Sequence, residues 1–477
     1  MHAIATPSFS TKPAPGDWLY VALSALALVG SVVKAPFFPS DDPALFEYYG
    51  WAMLHGQRLY ADLLDVKPPS IYLVNELWQW LFGENYALHT YAEAAVAAAT
   101  IALFALLLRR WKIRAWALGT FLFAAFFMLP LREFDYAEQY AVFFIVLGLY
   151  LSARGSNFFG GAAIALGTTF WPPAVLTTIP ILVQPIARRE RLLLGAGFVA
   201  TVVLYLVVSL AAFGPQFFAD LGEVWAERAT ARGYMGPFRI VGLPYGPAIA
   251  ALGLMVVLAV RRPVGDASRF ALIWSACALA GTAIPPNFFE NYFVPSTPAF
   301  AMAIASFGFS IGDVVRRPMM ARIAAFVVVL AAAGLIVIAV QRVASLRTML
   351  IAFETNYVVV GHWIRSSLGS GATIYSDEYL PEVYLAAHAR MPYHSSLLLF
   401  SAERGTWRSD PQVLIFGPHH TPAFTQAQKP LAATLHGGLI FDPACPGRTG
   451  TLVLYASHDS VAALRCTSYQ LLFGSQR

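Results

Sequence analysis

Apolar runs separated by short arginine-bearing turns fill the chain from about residue 17 to about residue 340. The first covers about 17–37. The second covers about 88–108 and ends at Arg109-Arg110-Trp111-Lys112-Ile113-Arg114. Further runs cover about 115–130, 138–153, 192–213, 247–260, 269–284, 292–310 and 321–340. Two shorter ones, about 158–170 and 173–187, are broken at Trp171-Pro172-Pro173 and fall below the ~20 residues of a full crossing. Counted separately, they bring the total to about eleven helical spans; counted as one re-entrant hairpin, to about nine.

The arginines fit this layout. With a cytoplasmic N-terminus, every even-numbered span ends inside. Arg109/Arg110/Lys112/Arg114, Arg154, Arg188/Arg189/Arg191, Arg261/Arg262 and Arg316/Arg317 all fall there. The loops 38–87, 131–137, 214–246 and 285–291 then share the external face with the C-terminal region. The first run carries no cleavage pattern and is long enough to cross, so it reads as a retained helix.

One loop departs from the pattern. Ser40–Gly83 is too polar to cross a bilayer and too apolar to be a solvated linker. It opens with Asp41-Asp42, and Pro43 makes Asp42 a fitting N-cap. Leu45, Phe46, Tyr49, Met53 and Leu54 recur at helical spacing and predict an amphipathic helix along a membrane surface. Lys67-Pro68-Pro69 breaks the chain, because a residue before proline is pushed out of helical geometry. A second amphipathic helix follows, with Ile71, Leu73, Val74, Leu77, Trp78 and Leu81.

Beyond about residue 345 the pattern changes again. Residues 372–376, 412–416 and 451–455 read as short strands, and 379–384 as a helix start or turn. About 130 residues suffice for a small α/β domain with its own core. The chain thus divides into a transmembrane domain, 1–344, and an extracytoplasmic α/β domain, 345–477.

Composition agrees with a polytopic membrane protein: 58% of residues are hydrophobic, 12% are charged and mean hydropathy is +0.59. Soluble domains carry about 25% charged residues. The net charge of +5 follows from topology and gives no sign of nucleic-acid binding. Of the three cysteines, Cys277 reads as a small hydrophobe in a span. Cys445 and Cys466 lie in the external region, where they can pair as a disulfide or stand as two unrelated buried thiols. His419-His420 lacks partners at metal-ligand spacing, and His55 and His89 read as interfacial.

The loop pattern Asp42 … Met53-Leu54-His55-Gly56 … Lys67-Pro68-Pro69 … Leu81-Phe82-Gly83 resembles the first extracytoplasmic loop of the GT-C glycosyltransferases. The nearest branch is the bacterial protein-mannosyltransferase-like and aminoarabinose-transferase-like enzymes. The resemblance implies a GT-C fold and transfer of a sugar from a polyprenyl-phosphate donor to an acceptor hydroxyl. Acceptors of this class are lipid, glycan or protein. It implies a bacterial inner membrane setting and leaves oligomeric state unknown. Such a reaction needs a carboxylate base for the acceptor and fixed cations for the departing phosphate.

By the resemblance, Asp42 or its neighbour Asp41 is the base, and Asp42 also reads as a plain cap. Lys67 is the phosphate ligand, and also reads as a snorkelling interfacial lysine. Arg132 and Arg228 are further phosphate candidates. Glu47, Tyr60, Glu138, Asn291 and Tyr292 are substrate-binding candidates, Asn291-Tyr292 standing where a His-Tyr pair is frequent. Glu138 also reads as part of an ion-pair cluster with Arg132, Glu133 and Asp135. Arg232, Tyr234 and Arg239 are weaker contacts, alongside Asn287 and Glu290. Asp41-Asp42 suits a divalent cation in some branches; the nearer ones need none, so no metal or other cofactor is expected. The competing classes are a flippase or transporter of lipid-linked sugars and a lipid-linked glycan polymerase or ligase. A transporter calls for mid-span charges, and here acidic residues gather in the external loops.

Overall fold

The computed structural model describes residues 17–35, 38–63, 65, 67–128, 133–182, 187–215, 217–219, 222, 253, 265–284, 290–307, 358–376, 380–391, 412–416, 439–441 and 453–456. The chain forms two compact units. The first is Met1–Ala35, Thr90–Val208 and Arg228–Arg347; the second is Pro36–His89, Ser209–Glu227 and Thr348–Arg477.

The first unit is helical. Its elements are α1 (Asp17–Lys34), most of α4 (Tyr86–Arg110), α5 (Trp116–Met128), α6 (Ala137–Ala153), α7 (Asn157–Phe170), α8 (Thr178–Leu182), most of α9 (Arg188–Phe213), α10 (Asp266–Ala283) and α11 (Thr297–Ser306). The predicted spans near 17–37, 88–108, 115–130, 138–153, 192–213 and 269–284 all fall on these helices. The run near 292–310 begins as a 3-10 helix, Glu290–Ser296, before α11. The spans near 247–260 and 321–340 lie outside the described residues, and with them the full count. Among the described helices, α4 and α9 are long and apolar enough to cross a membrane.

Sequence explains how these helices pack. α5 is apolar all round and accordingly buried along most of its length. α1 lies on it, with Tyr20 and Phe121 rings 6.1 Å apart and Ser31 Oγ donating to the Met128 carbonyl at 3.4 Å. α9 instead leaves Leu192, Val199, Val203, Leu204 and Val207 more than half exposed, a surface suited to lipid. The predicted break at Trp171 is present. Trp171 is extended (φ −138°, ψ 92°) ahead of Pro172, and the chain resumes as a 3-10 turn over Pro172–Thr177. α7 and α9 meet backbone to backbone at two glycines. A Cβ on Gly161 would strike the Leu194 carbonyl, and one on Gly197 the Phe158 carbonyl.

The second unit combines α2 (Asp41–Leu54), α3 (Ser70–Phe82), α12 (Val359–Leu368), α13 (Pro381–Ala387) and a four-stranded sheet. The strands are β1 (Ile374–Ser376), β2 (Val413–Phe416), β3 (Leu439–Phe441) and β4 (Val453–Ala456), in the order β1-β2-β4-β3. β1 and β2 are parallel, joined through α13 as a βαβ unit, and the other pairings are antiparallel. β3 carries no prediction from sequence; the other strands match theirs within a residue or two.

Both loop helices form, but α2 is not amphipathic in the predicted sense. α2 is buried on every side from Pro43 to Ala52. α3 packs on one side, where a Cβ on Gly50 would meet the Asn75 and Glu76 backbone at 2.6 Å. α13 packs on another, with Tyr48 Oη donating to the Ala389 carbonyl at 3.1 Å. α3 has the predicted amphipathic character: Leu73, Leu77 and Leu81, with Trp80, are exposed, while Asn75 and Gln79 are buried.

The glycine contacts give a test of the first unit. Gly197→Ala should lower the melting temperature in detergent by several degrees, on the order of 2 kcal/mol for forced helix separation. Gly195→Ala, two residues away with open space at its Cα, should raise or preserve it.

Candidate active site

The head of α2 is conformationally unusual. Asp41 has φ +52°, a left-handed value that L-residues with a side chain rarely adopt. The N-cap is Ser40, without a side-chain cap bond. Asp42 therefore lies inside the first turn and is not the cap predicted from sequence. Both aspartates are half-buried.

Lys67 reaches the same helix. Its Nζ lies 5.1 Å from the centre of the Phe46 ring. Phe46 is four residues beyond Asp42, so both are on one face of α2, one turn apart. The carboxylate and the ammonium are thereby assigned to one face of one buried helix. The turn carrying Lys67 is held from beneath. Tyr60, at φ +62°, donates its hydroxyl to the Lys67 carbonyl at 2.7 Å. It is fully buried against Phe213 and Phe217, with centroids 5.6 and 5.1 Å away. Its placement supports Lys67 from the interior. Asp65 is also fully buried, beside the tyrosine cluster of Tyr49, Tyr60 and Tyr72. Burial, and then the Asp65 charge, push the Tyr72 hydroxyl well above its usual pKa. Nothing in the sequence pattern singled Asp65 out.

Glu47 directly follows Phe46 on α2 and is buried. It accepts from Gln79 Nε2 at 2.8 Å and pairs with His89 Nδ1, while His89 Nε2 faces the Gly83 carbonyl at 2.9 Å. Both imidazole nitrogens thus face oxygen atoms. His89 is 2% exposed, not interfacial as the sequence suggested. Removing one member would leave a buried polar group unsatisfied, at a cost of about 1–3 kcal/mol. Gly83, the last residue of the loop motif, turns at φ +58° and presents its carbonyl here.

Residues from beyond position 345 complete this region. The Asp41 N–H donates to Glu382 Oε1 at 2.7 Å. Glu382, on α13, is buried, and its Oε2 has no hydrogen-bond partner among the described residues. Burial pushes its carboxyl up to about 8, against the pull of the Asp41 N–H. Trp51 stacks on His55 at 4.4 Å and meets His388 in a tilted contact at 4.5 Å. Burial pushes His388 down to about 4, so it is neutral at physiological pH. Arg365 grips Glu84 with two bonds, 2.7 and 2.9 Å, and holds that carboxyl below its usual range.

In the first unit, Glu138 and Asn291 come together. Glu138 is fully buried and accepts from Asn291 Nδ2 at 3.3 Å. Tyr292 lies against Trp171, with centroids 4.6 Å apart. Glu133 and Asp135 are buried as well. Cys277 is a half-buried free thiol. Arg132, Arg228, Arg232, Tyr234, Arg239, Asn287, His419, His420, Cys445 and Cys466 lie outside the described residues, and so does the proposed disulfide.

Glu382 sets a pH dependence. Its folded pKa is raised from about 4.5 to about 8, so its contribution to stability is full below 4.5 and is lost as pH rises through 8. Glu382→Gln, which mimics the protonated acid, should remove this loss. At pH 8 it should melt a few degrees above the wild type, and at pH 5 level with it. Melting curves in detergent across pH 5–9 test this; parallel curves for both proteins would contradict it.

No protein-family model matches the chain. A dolichol phosphate-mannose mannosyltransferase from Haloferax volcanii is 29% identical over 178 residues, which is 35% of this chain and 38% of that protein. In fold the chain is similar to ArnT from Cupriavidus metallidurans bound to undecaprenyl phosphate. The TM-score is 0.63 at 18% identity, covering 95% of this chain and 99% of that one. The apo form of the same enzyme gives a TM-score of 0.56 at 16% identity, with the same coverage. The chain therefore has the fold of ArnT, and both comparisons fall in the class that its Asp42 … Lys67-Pro68-Pro69 … Gly83 loop resembles, the GT-C membrane glycosyltransferases.

Proposed function

We propose that this protein transfers a sugar from a polyprenyl-phosphate carrier to an acceptor hydroxyl, at the external face of a bacterial inner membrane. The observation that carries the proposal is the position of the Lys67 ammonium over the ring of Phe46, the residue one helical turn beyond Asp42 on α2. The similarity to ArnT bound to undecaprenyl phosphate, and to a mannosyltransferase named for a dolichol-phosphate donor, supports the lipid-phosphate class of donor. The exposed leucines and tryptophan of α3 suit a helix at the lipid boundary, where a long polyprenyl tail arrives.

The chemistry follows from these groups. Asp42, with Asp41 beside it, accepts the proton of the acceptor hydroxyl. The acceptor oxygen forms a new bond to the anomeric carbon while the bond from that carbon to the phosphate oxygen breaks. The electron pair leaves on the lipid phosphate, whose growing charge Lys67 meets. A single displacement of this kind inverts the anomeric centre. Lys67 supplies the charge that a metal would otherwise supply, so the reaction is proposed to need no cofactor. Glu138 and Asn291 form a buried polar pair in the first unit suited to orienting substrate hydroxyls. The C-terminal residues, placed in the periplasm, build the head of α2 through Glu382.

Two substitutions separate the roles. Asp42→Asn should cut transfer by roughly 100-fold or more while undecaprenyl phosphate binding stays within about twofold of wild type. Activity near the wild-type level in both Asp41→Asn and Asp42→Asn would remove the carboxylates from catalysis. Lys67→Ala should weaken undecaprenyl phosphate binding by on the order of tenfold, and Lys67→Arg should restore part of it, since a fork replaces a point charge. Equal affinity in wild type and Lys67→Ala would take Lys67 out of the phosphate site. Transfer should also persist in the presence of a divalent-metal chelator.

A further inference from the structure

A cleft of about 650 Å3 opens at one end of the first unit, where four chain segments converge. Arg110 and Lys112 come from the end of α4, Arg154 from the end of α6, and Arg269 from the first turn of α10. Glu190, near the start of α9, and Asp266 are the carboxylates on its rim. These groups leave a formal local charge of about +2.

The cations are presented, not neutralised. Arg110 Nε donates to the Ala153 carbonyl at 3.0 Å, which ties the ends of α4 and α6 together. The Arg154 guanidinium lies 5.9 Å from the centre of the Tyr150 ring. Lys112, Arg154 and Arg269 are exposed and form no ion pair with another described residue. Glu190 is turned to its own helix, where Oε2 accepts from the Ala187 N–H at 3.3 Å.

The wall behind this rim is apolar. Leu149 and Ile273 line it, and Trp111 packs on Phe270 with centroids 4.8 Å apart. A cationic rim over an apolar wall suits an amphiphile with a phosphate head. The volume lies in the range of ligand pockets and far exceeds what inorganic phosphate fills. Basic pockets between membrane helices on the cytoplasmic side attract anionic lipid, and the arginine pattern turns this end to the cytoplasm.

We propose that this cleft holds the headgroup of an anionic phospholipid of the inner leaflet. Arg154 and Arg269 take the phosphate, and the glycerol-ester region lies against Leu149 and Ile273. None of the residues proposed above for sugar transfer takes part.

Native mass spectrometry of the full chain in mild detergent tests the proposal, with cardiolipin, phosphatidylglycerol or phosphatidylcholine added. The wild type should retain cardiolipin or phosphatidylglycerol over phosphatidylcholine. Arg154→Ala/Arg269→Ala should weaken that retention by on the order of tenfold or more. Arg188→Ala/Arg189→Ala removes two exposed cations that do not line the cleft and should change it less than about threefold. Glu190→Gln removes a rim charge and should strengthen retention several-fold, which decides the matter even if the double variant does not fold. Equal loss in the two double variants, no gain in Glu190→Gln, or displacement of the lipid by millimolar inorganic phosphate would each overturn the assignment.

Discussion

The N–H of Asp41 donates to a carboxyl that is itself buried, and that bond decides how α2 begins. It meets a left-handed aspartate at the head of a helix whose N-cap, Ser40, makes no side-chain cap bond. With it, the first turn is committed and Asp42 is carried on a rigid element. The rest of the region follows from the burial of that helix. Phe46, Tyr48 and Tyr49 are fully buried, each side chain stabilising the fold by roughly 1.5–3 kcal/mol. Glu47 is buried among them and therefore needs both Gln79 and His89. Lys67 borrows the Phe46 ring, and its turn rests on Tyr60.

This arrangement gives the C-terminal residues a reason to exist in a protein whose proposed chemistry sits in an early loop. Glu382, Tyr384, His388 and Ala389 contribute a hydrogen bond, ring contacts and a carbonyl to α2. A loop of some forty residues cannot exclude water from a helix by itself. Packed on α3 and α13, it becomes an interior element, and its polar side chains become fixed groups. Preorganised groups cost nothing to arrange when charge develops, which is what a displacement at an anomeric carbon requires.

Much of this was legible in the sequence. Spans, the proline break at Trp171 and the strands near 374, 413 and 453 follow from hydropathy and local propensity, so they emerge from pattern alone. The loop motif pointed to Asp42 and Lys67; in the structure Lys67 lies over the Phe46 ring, one turn along α2 from Asp42. What pattern could not show was the burial of α2. Leu45, Phe46 and Tyr49 read as one apolar face; on the rest of the helix Tyr48 and Trp51 are covered by residues more than three hundred positions away in the chain, and Glu47 by Gln79 and His89. Glu382, Asp65 and His89 were missed for the same reason. Each is an ordinary polar residue by sequence, and only tertiary contacts bury it.

A cryo-electron microscopy structure of the full chain with undecaprenyl phosphate would test the central claim most directly. The account predicts a phosphate oxygen within about 3.2 Å of Lys67 Nζ, on the face of α2 that carries Asp42. A phosphate bound elsewhere, with Lys67 still over the Phe46 ring and no anion near it, would contradict the account.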